Sequence, residues 1–180
     1  MHLRTQEFRL RWSRLTWLVT GAVIILVAIV AIVILRAAAD VGSRGNLVRG
    51  LLVLEAAVPV AILGIVALFA PLGYEVNPDA VVIRRLVRNV VIPRKMIREV
   101  RRVESREIGF AVRLFASGGF LGWFGLFFSH SLRRFWAYAG NRDDLVLVTQ
   151  ADGTRIVISP HPPDAFLETV WATDGGRRLR

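Results

Sequence analysis

Apolar positions along this chain change their rhythm twice. From Leu15 to Leu35 there is no polar side chain beyond Thr16 and Thr20 and no charge, and from Leu51 to Leu72 only Glu55 interrupts a second apolar run. Each run holds roughly twenty residues, which at ~1.5 Å per helical residue matches the ~30 Å hydrocarbon core of a bilayer. Neither presents the polar face of a soluble amphipathic helix, so the pattern predicts a transmembrane helical hairpin over residues 15–72. Pro59 and Gly64 belong to the second run, with Ala57, Ala61 and Gly64 as small residues for packing on the first helix. Glu55 is expected to reach the outer interface near Arg49.

Beyond Gly73 the rhythm becomes that of short strands. Asn77-Pro78-Asp79 predicts a turn, Ala80–Ile83 a strand, Arg88-Asn89 a second turn and Val90–Ile92 the returning strand. Pro93 ends it, Arg94 to Ile97 reads as a single helical turn, and Arg98–Glu104 extends again. Asp144–Thr149 and Thr154–Ser159 flank Asp152-Gly153, a strong hairpin signal. Phe166, Leu167, Val170 and Trp171 then fall on one helical stripe, so an amphipathic helix should close the sheet. The fold class is α+β: a membrane hairpin, then antiparallel β structure capped by a helix. Its expected divisions are a basic tail over 1–14, the hairpin over 15–72, one small domain over 73–174 and a basic tail over 175–180.

Charge sharpens the topology. The formal net charge is +10 over 180 residues, and the cluster from Arg84 to Arg106 carries much of the excess. Arg4, Arg9, Arg11 and Arg14 precede the first run, and Arg36, Arg44 and Arg49 lie between the runs. Basic flanks stay in the cytoplasm, so both termini are expected there, in a multi-pass protein of the cell membrane. Ala37-Ala38-Ala39 mimics a signal-peptide cleavage site, but the apolar core is too long and Arg36 intervenes, so the first run reads as an uncleaved anchor. The chain has no cysteine, which excludes disulfides and thiolate metal sites.

The order of elements resembles the bacterial pleckstrin-homology (PH) domain proteins that carry an N-terminal membrane hairpin. The resemblance rests on Pro71–Val76 leaving the membrane, Asn89–Pro93, Ile97–Val100, the glycine and aromatic tract Gly118–Gly125, Trp136-Ala137-Tyr138, the Asp152-Gly153 turn and Ile158-Ser159-Pro160 leading to Phe166. It implies a bent seven-stranded antiparallel barrel or sandwich capped by a C-terminal helix, with no catalytic residues and no cofactor.

Candidate chemistry follows from basic and aromatic residues. By the resemblance, Arg84, Arg85 and Arg88 on the first hairpin are the headgroup site, reinforced by Arg94 and Lys95. The Gly118–Phe128 tract lacks the lysine and hydroxyl of a phosphate loop. Its aromatics are expected either to fill the core or to bring Trp123 to the membrane surface, with Arg133 and Arg134 meeting lipid phosphates. His130 between Ser129 and Ser131 is no triad, since neighbours on an extended chain face opposite ways. Metal binding, nucleic-acid binding and catalysis are therefore not expected. Two functions remain: a scaffolding module for a membrane or cytoplasmic protein partner, or direct binding of anionic lipid headgroups.

Overall fold

A computed structural model describes residues 5–41 and 45–172; Arg4, Arg44 and the Gly175–Arg178 tail lie outside them. Helices α1 (Arg14–Asp40) and α2 (Asn46–Phe69) form the hairpin. Each is long and apolar enough to cross a membrane, and only 6% of its apolar window is buried. A core helix of a water-soluble domain would be mostly covered, so the exposed apolar faces of these helices suit a membrane anchor. Ser13 caps α1, its hydroxyl accepting from the Thr16 amide.

Packing between the helices uses a different stripe from the expected one. On α2, Ala56 is buried and Leu52, Pro59, Leu63 and Val66 are half-buried, whereas Ala57, Ala61 and Gly64 are exposed. The spacing of three and four residues continues through Pro59, whose φ suits a helix and whose lost hydrogen bond α2 tolerates. Glu55 neighbours this stripe but points outward, nine residues beyond Asn46. The second apolar run ends earlier than Leu72: α2 stops at Phe69, and Leu72 belongs to a strand.

The remaining chain builds two sheets. The first contains β1 (Gln6–Leu10), β2 (Pro71–Val76), β3 (Ala80–Arg85), β4 (Val90–Pro93) and β11 (Pro160–His161), in the order β11-β1-β2-β3-β4. The second contains β5 (Ile97–Val103), β6 (Ala111–Gly119), β7 (Gly122–Ser129), β8 (Arg133–Ala139), β9 (Leu145–Gln150) and β10 (Arg155–Ile158), ordered β5-β9-β10-β8-β7-β6. A 3-10 turn at Arg94–Met96 joins the sheets, α3 (Ser105–Ile108) connects β5 to β6, and α4 (Pro163–Ala172) closes the domain.

This is a sandwich and not a closed barrel, with more strands than seven, and β10 pairs with β8 in parallel. Tyr74, Val81, Ile83 and Ile92 of the first sheet pack with Val146, Val148 and Ile158 of the second and with Phe166 of α4. A second cluster on the outer face of the second sheet contains Trp123, Phe127, Phe135 and Leu147, covered by Ile108 and Leu132. Within α4, Phe166 and Val170 are buried and Leu167 is half-buried, while Trp171 of the expected stripe stays exposed at its margin.

Residues 6–10 are the largest departure from the expected layout. The sequence reading leaves them in a basic tail, yet β1 pairs antiparallel with β2, Phe8 opposite Tyr74. One strand enters α1 and the other leaves α2, so the helical hairpin starts and ends on the same side. Cleavage after the alanines would remove a strand from the middle of the first sheet.

Candidate functional site

The two helices reach the domain through very short connections. Residues 11–13 link β1 to α1, and Ala70 alone separates α2 from β2. Three further contacts hold the domain against the helix ends. The first is at the β3–β4 tip, where the Val87 amide donates to the Leu68 carbonyl of α2 at 3.2 Å. Leu86 and Val87 at this tip are exposed. The second is the Arg85 guanidinium, 5.7 Å from the ring centres of both Phe69 on α2 and Tyr138 on β8.

The third contact is a ladder along α1. The Thr16 hydroxyl donates to the Gly140 carbonyl at 3.1 Å, just beyond β8. One turn later the Thr20 hydroxyl accepts from the Leu121 amide at 2.9 Å, in the β6–β7 turn. Gly119 of that turn has φ +120, and a side chain there would come within 3.1 Å of Val19 on α1. Glycine therefore serves both the turn and the close approach. Four helical residues rise ~6 Å, so the contacts climb α1 from β8 towards β6. The outer strand β6 accordingly lies furthest along α1. It and its approach carry Phe110 and Phe115, each 87% exposed, together with exposed Val112 and Leu114.

The expected site residues separate into distinct groups. Arg84, Arg85 and Arg88 share the β3–β4 tip. Arg84 pairs with Glu7 of β1 at 3.0 Å, a surface pair that leaves half of its side chain exposed. Arg85 is committed to the fold: besides its two rings it donates to the Arg88 carbonyl at 2.6 and 3.0 Å. Arg88 is exposed with φ +49, held there by the Asn89 side chain, which accepts from the Arg85 amide.

Arg94 and Lys95 do not join them, because they sit at the other end of the hairpin beside the Asn77–Asp79 turn. The Arg94 guanidinium donates to the carbonyls of Asn77 at 3.0 Å, Val170 at 2.8 Å and Thr169 at 3.4 Å. It closes the C-terminus of α4, a structural role that explains a basic residue outside the tip group. Lys95 is exposed beside it.

Trp123 differs most from the membrane-facing expectation. It is 8% exposed, packed against Phe127 at 4.7 Å and Phe135 at 5.8 Å between ring centres. Alternation along β7 explains this: Trp123 and Phe127 share the outer face, and Phe124 and Phe128 take the other. The tract's surface residues are the half-buried Phe120 and Leu121 of the turn and the exposed Phe128. Arg133 and Arg134 are exposed at the β7–β8 turn, the opposite end of these strands from α1. In that turn the Ser129 hydroxyl accepts from the Leu132 amide and the Ser131 hydroxyl donates to the Ile108 carbonyl, so both serines brace the turn.

Sequence reasoning missed an aromatic and basic collar at the junction. Trp12 and Trp17 pack with their ring centres 4.7 Å apart and their planes tilted by 55°, and a recess of about 430 Å³ is lined by both together with Arg11 and Leu72. Tryptophan beside arginine at the end of an apolar helix is the composition of a membrane interface, and that signal was available in residues 11–17.

This arrangement defines a helical hairpin carrying a two-sheet domain with a basic, apolar-tipped side at the helix ends. The bacterial PH domain family matches residues 72–172, and the chain belongs to that family. PH domains are modules for protein or lipid interaction. No curated protein and no solved structure matches the chain.

Proposed function

We propose that this chain is a non-catalytic membrane-surface module of the bacterial cell membrane, both termini cytoplasmic, whose PH domain is held against the bilayer and meets anionic headgroups through its β3–β4 tip. The observation that carries the reading is the Val87–Leu68 backbone bond, which fixes Leu86 and Val87 at the depth where the apolar helix ends. Arg84 and Arg88 then flank an apolar tip at the headgroup level, as in interfacial anchors. The exposed apolar strand β6 adds support: in water such an edge invites aggregation, whereas beside the bilayer it is covered by lipid.

The test is amide hydrogen exchange of the full chain in nanodiscs of neutral phosphatidylcholine and of mixed phosphatidylcholine and phosphatidylglycerol. Amides of residues 86–89 exchange more slowly in the anionic discs. Each basic residue near an anionic surface contributes on the order of 1 kcal/mol, so Arg84→Gln with Arg88→Gln removes a lipid-dependent protection of about 30-fold. Arg85 is left unchanged because it packs in the fold. Equal exchange in both discs would reject the headgroup reading.

A scaffolding role for a protein partner uses the other side. Strand β5 is the edge of the second sheet at the opposite end from β6, and an edge strand can take an added strand. Slowed exchange confined to β5 on mixing with a captured protein would favour this role.

A further inference from the structure

We propose that the cleft between α1 and the second sheet seats one anionic phospholipid, its phosphate held by Arg113 and Arg142. The proposal deepens the membrane-surface reading and rests on it, but it names a site on the other flank of the helical hairpin from the β3–β4 tip.

The cleft encloses about 640 Å³, within the ~300–1,000 Å³ of small-molecule sites. One wall is the first turns of α1, with Leu15, Thr16 and Val19; the floor is Trp123 and Phe127 on β7; Phe110 stands at the opposite rim. That combination decides the ligand class. A pocket with a membrane helix for a wall opens where lipid headgroups meet acyl chains, and Leu15 and Phe110 are both exposed there for an acyl chain to follow.

Two guanidiniums supply the polar end. Arg142 lies over the Trp123 ring at 5.0 Å, which fixes its height above the floor. Arg113 folds back along β6 over Gly118, where an added Cβ would come within 2.8 Å of its Nε atom, so the bare backbone of Gly118 makes room for the guanidinium. Neither arginine has an ion-pair partner among the described residues. Asp143 is the one carboxylate among the lining residues, leaving the cleft with a net positive charge. Arginine's planar fork suits phosphate oxygens, and two forks at one mouth favour an anionic over a zwitterionic headgroup.

The experiment is native mass spectrometry of the full chain in detergent with equimolar phosphatidylglycerol and phosphatidylcholine. One phosphatidylglycerol per chain is expected to remain bound, preferred about tenfold. Arg113→Gln with Arg142→Gln should abolish the preference, and Lys at both positions should restore part of it. Both side chains are exposed, so neither substitution threatens folding. Retention unchanged by the Gln pair would overturn the site, as would equal retention of the two lipids. Displacement by an equal concentration of glycerol phosphate would show a soluble phosphate ester as the ligand and overturn the lipid assignment. Loss of retention in Arg84→Gln with Arg88→Gln alone would move the lipid to the hairpin tip, refuting this cleft while leaving the membrane-surface reading standing.

Discussion

Phe8→Ala lowers the stability of the domain by about 3–5 kcal/mol, although Phe8 lies before α1 and far in sequence from the α4 residue its ring meets. Its ring is buried and meets Phe166 of α4 edge-on at 5.1 Å between centres. Truncation leaves a cavity between β1 and α4, with β2, α4 and the inter-sheet core around it. Chemical unfolding in detergent, followed by tryptophan fluorescence, measures the loss. A change below about 1 kcal/mol would mean that β1 is not an integral strand of the first sheet. The same packing explains why a soluble fragment beginning at Gly73 is a poor probe of this domain. It would lack β1 and expose the edge of β2.

Tyr74→Phe is expected to cost about 1–3 kcal/mol near neutral pH and to remove part of the chain's sensitivity to alkali. The buried Tyr74 hydroxyl donates to the Tyr138 carbonyl at 2.5 Å and accepts from the Ser159 amide at 3.0 Å, so it fastens β2 to the second sheet. Phenylalanine keeps the ring and takes the hydroxyl partner from both the Tyr138 carbonyl and the Ser159 amide. Burial pushes the hydroxyl's pKa far up, only partly offset by the Ser159 hydrogen bonds. A raised pKa means that the folded chain keeps a proton that the unfolded chain releases above about pH 10. This contribution is thus fully present below that pH and is lost as pH rises beyond it, by about 1.4 kcal/mol for each further unit. Burial also raises Tyr138, against the opposing charge of Arg85, so some alkaline sensitivity persists in the variant. Stability curves for both proteins between pH 8 and 12 should converge at the alkaline end. Parallel curves would contradict the buried-hydroxyl account.

Much of this architecture was legible because its signals are local. Asn77 accepts from the amides of Asp79 and Ala80, and Asp152 from that of Thr154, so each turn is written by a side chain within three residues of its partner. The apolar runs and the α4 stripe are likewise contained in single windows. Strand β1 was not legible: Gln6, Glu7 and Arg9 are polar, and the partner strand begins roughly sixty residues later, across the two long apolar helices. Nor does any local pattern announce that β8 and β10 pair in parallel.

The site was legible as a composition and less so as a geometry. An arginine-rich hairpin predicts a basic tip, but the sequence does not distinguish Arg88, which is exposed, from Arg94, which caps α4, or Arg85, which packs between two rings. Trp123 and Phe128 belong to one aromatic tract, and only the register of β7 puts the first on the outer face, where Ile108 and Leu132 cover it, and leaves the second exposed on the other. Arg113 and Arg142 are distant in sequence and become neighbours of one cleft through the docking of α1 on the β6–β7 turn.

The central claim is that one side of the domain rests on the bilayer. The chain has no cysteine, so single cysteines at Leu86, Phe115 and Asp152 can each carry a fluorophore without background labelling. Quenching by lipid-borne quenchers in liposomes containing phosphatidylglycerol should be strong at positions 86 and 115 and absent at 152, in the β9–β10 turn away from the helices. Labels at 86 and 115 as open to water as the label at 152 would contradict the account.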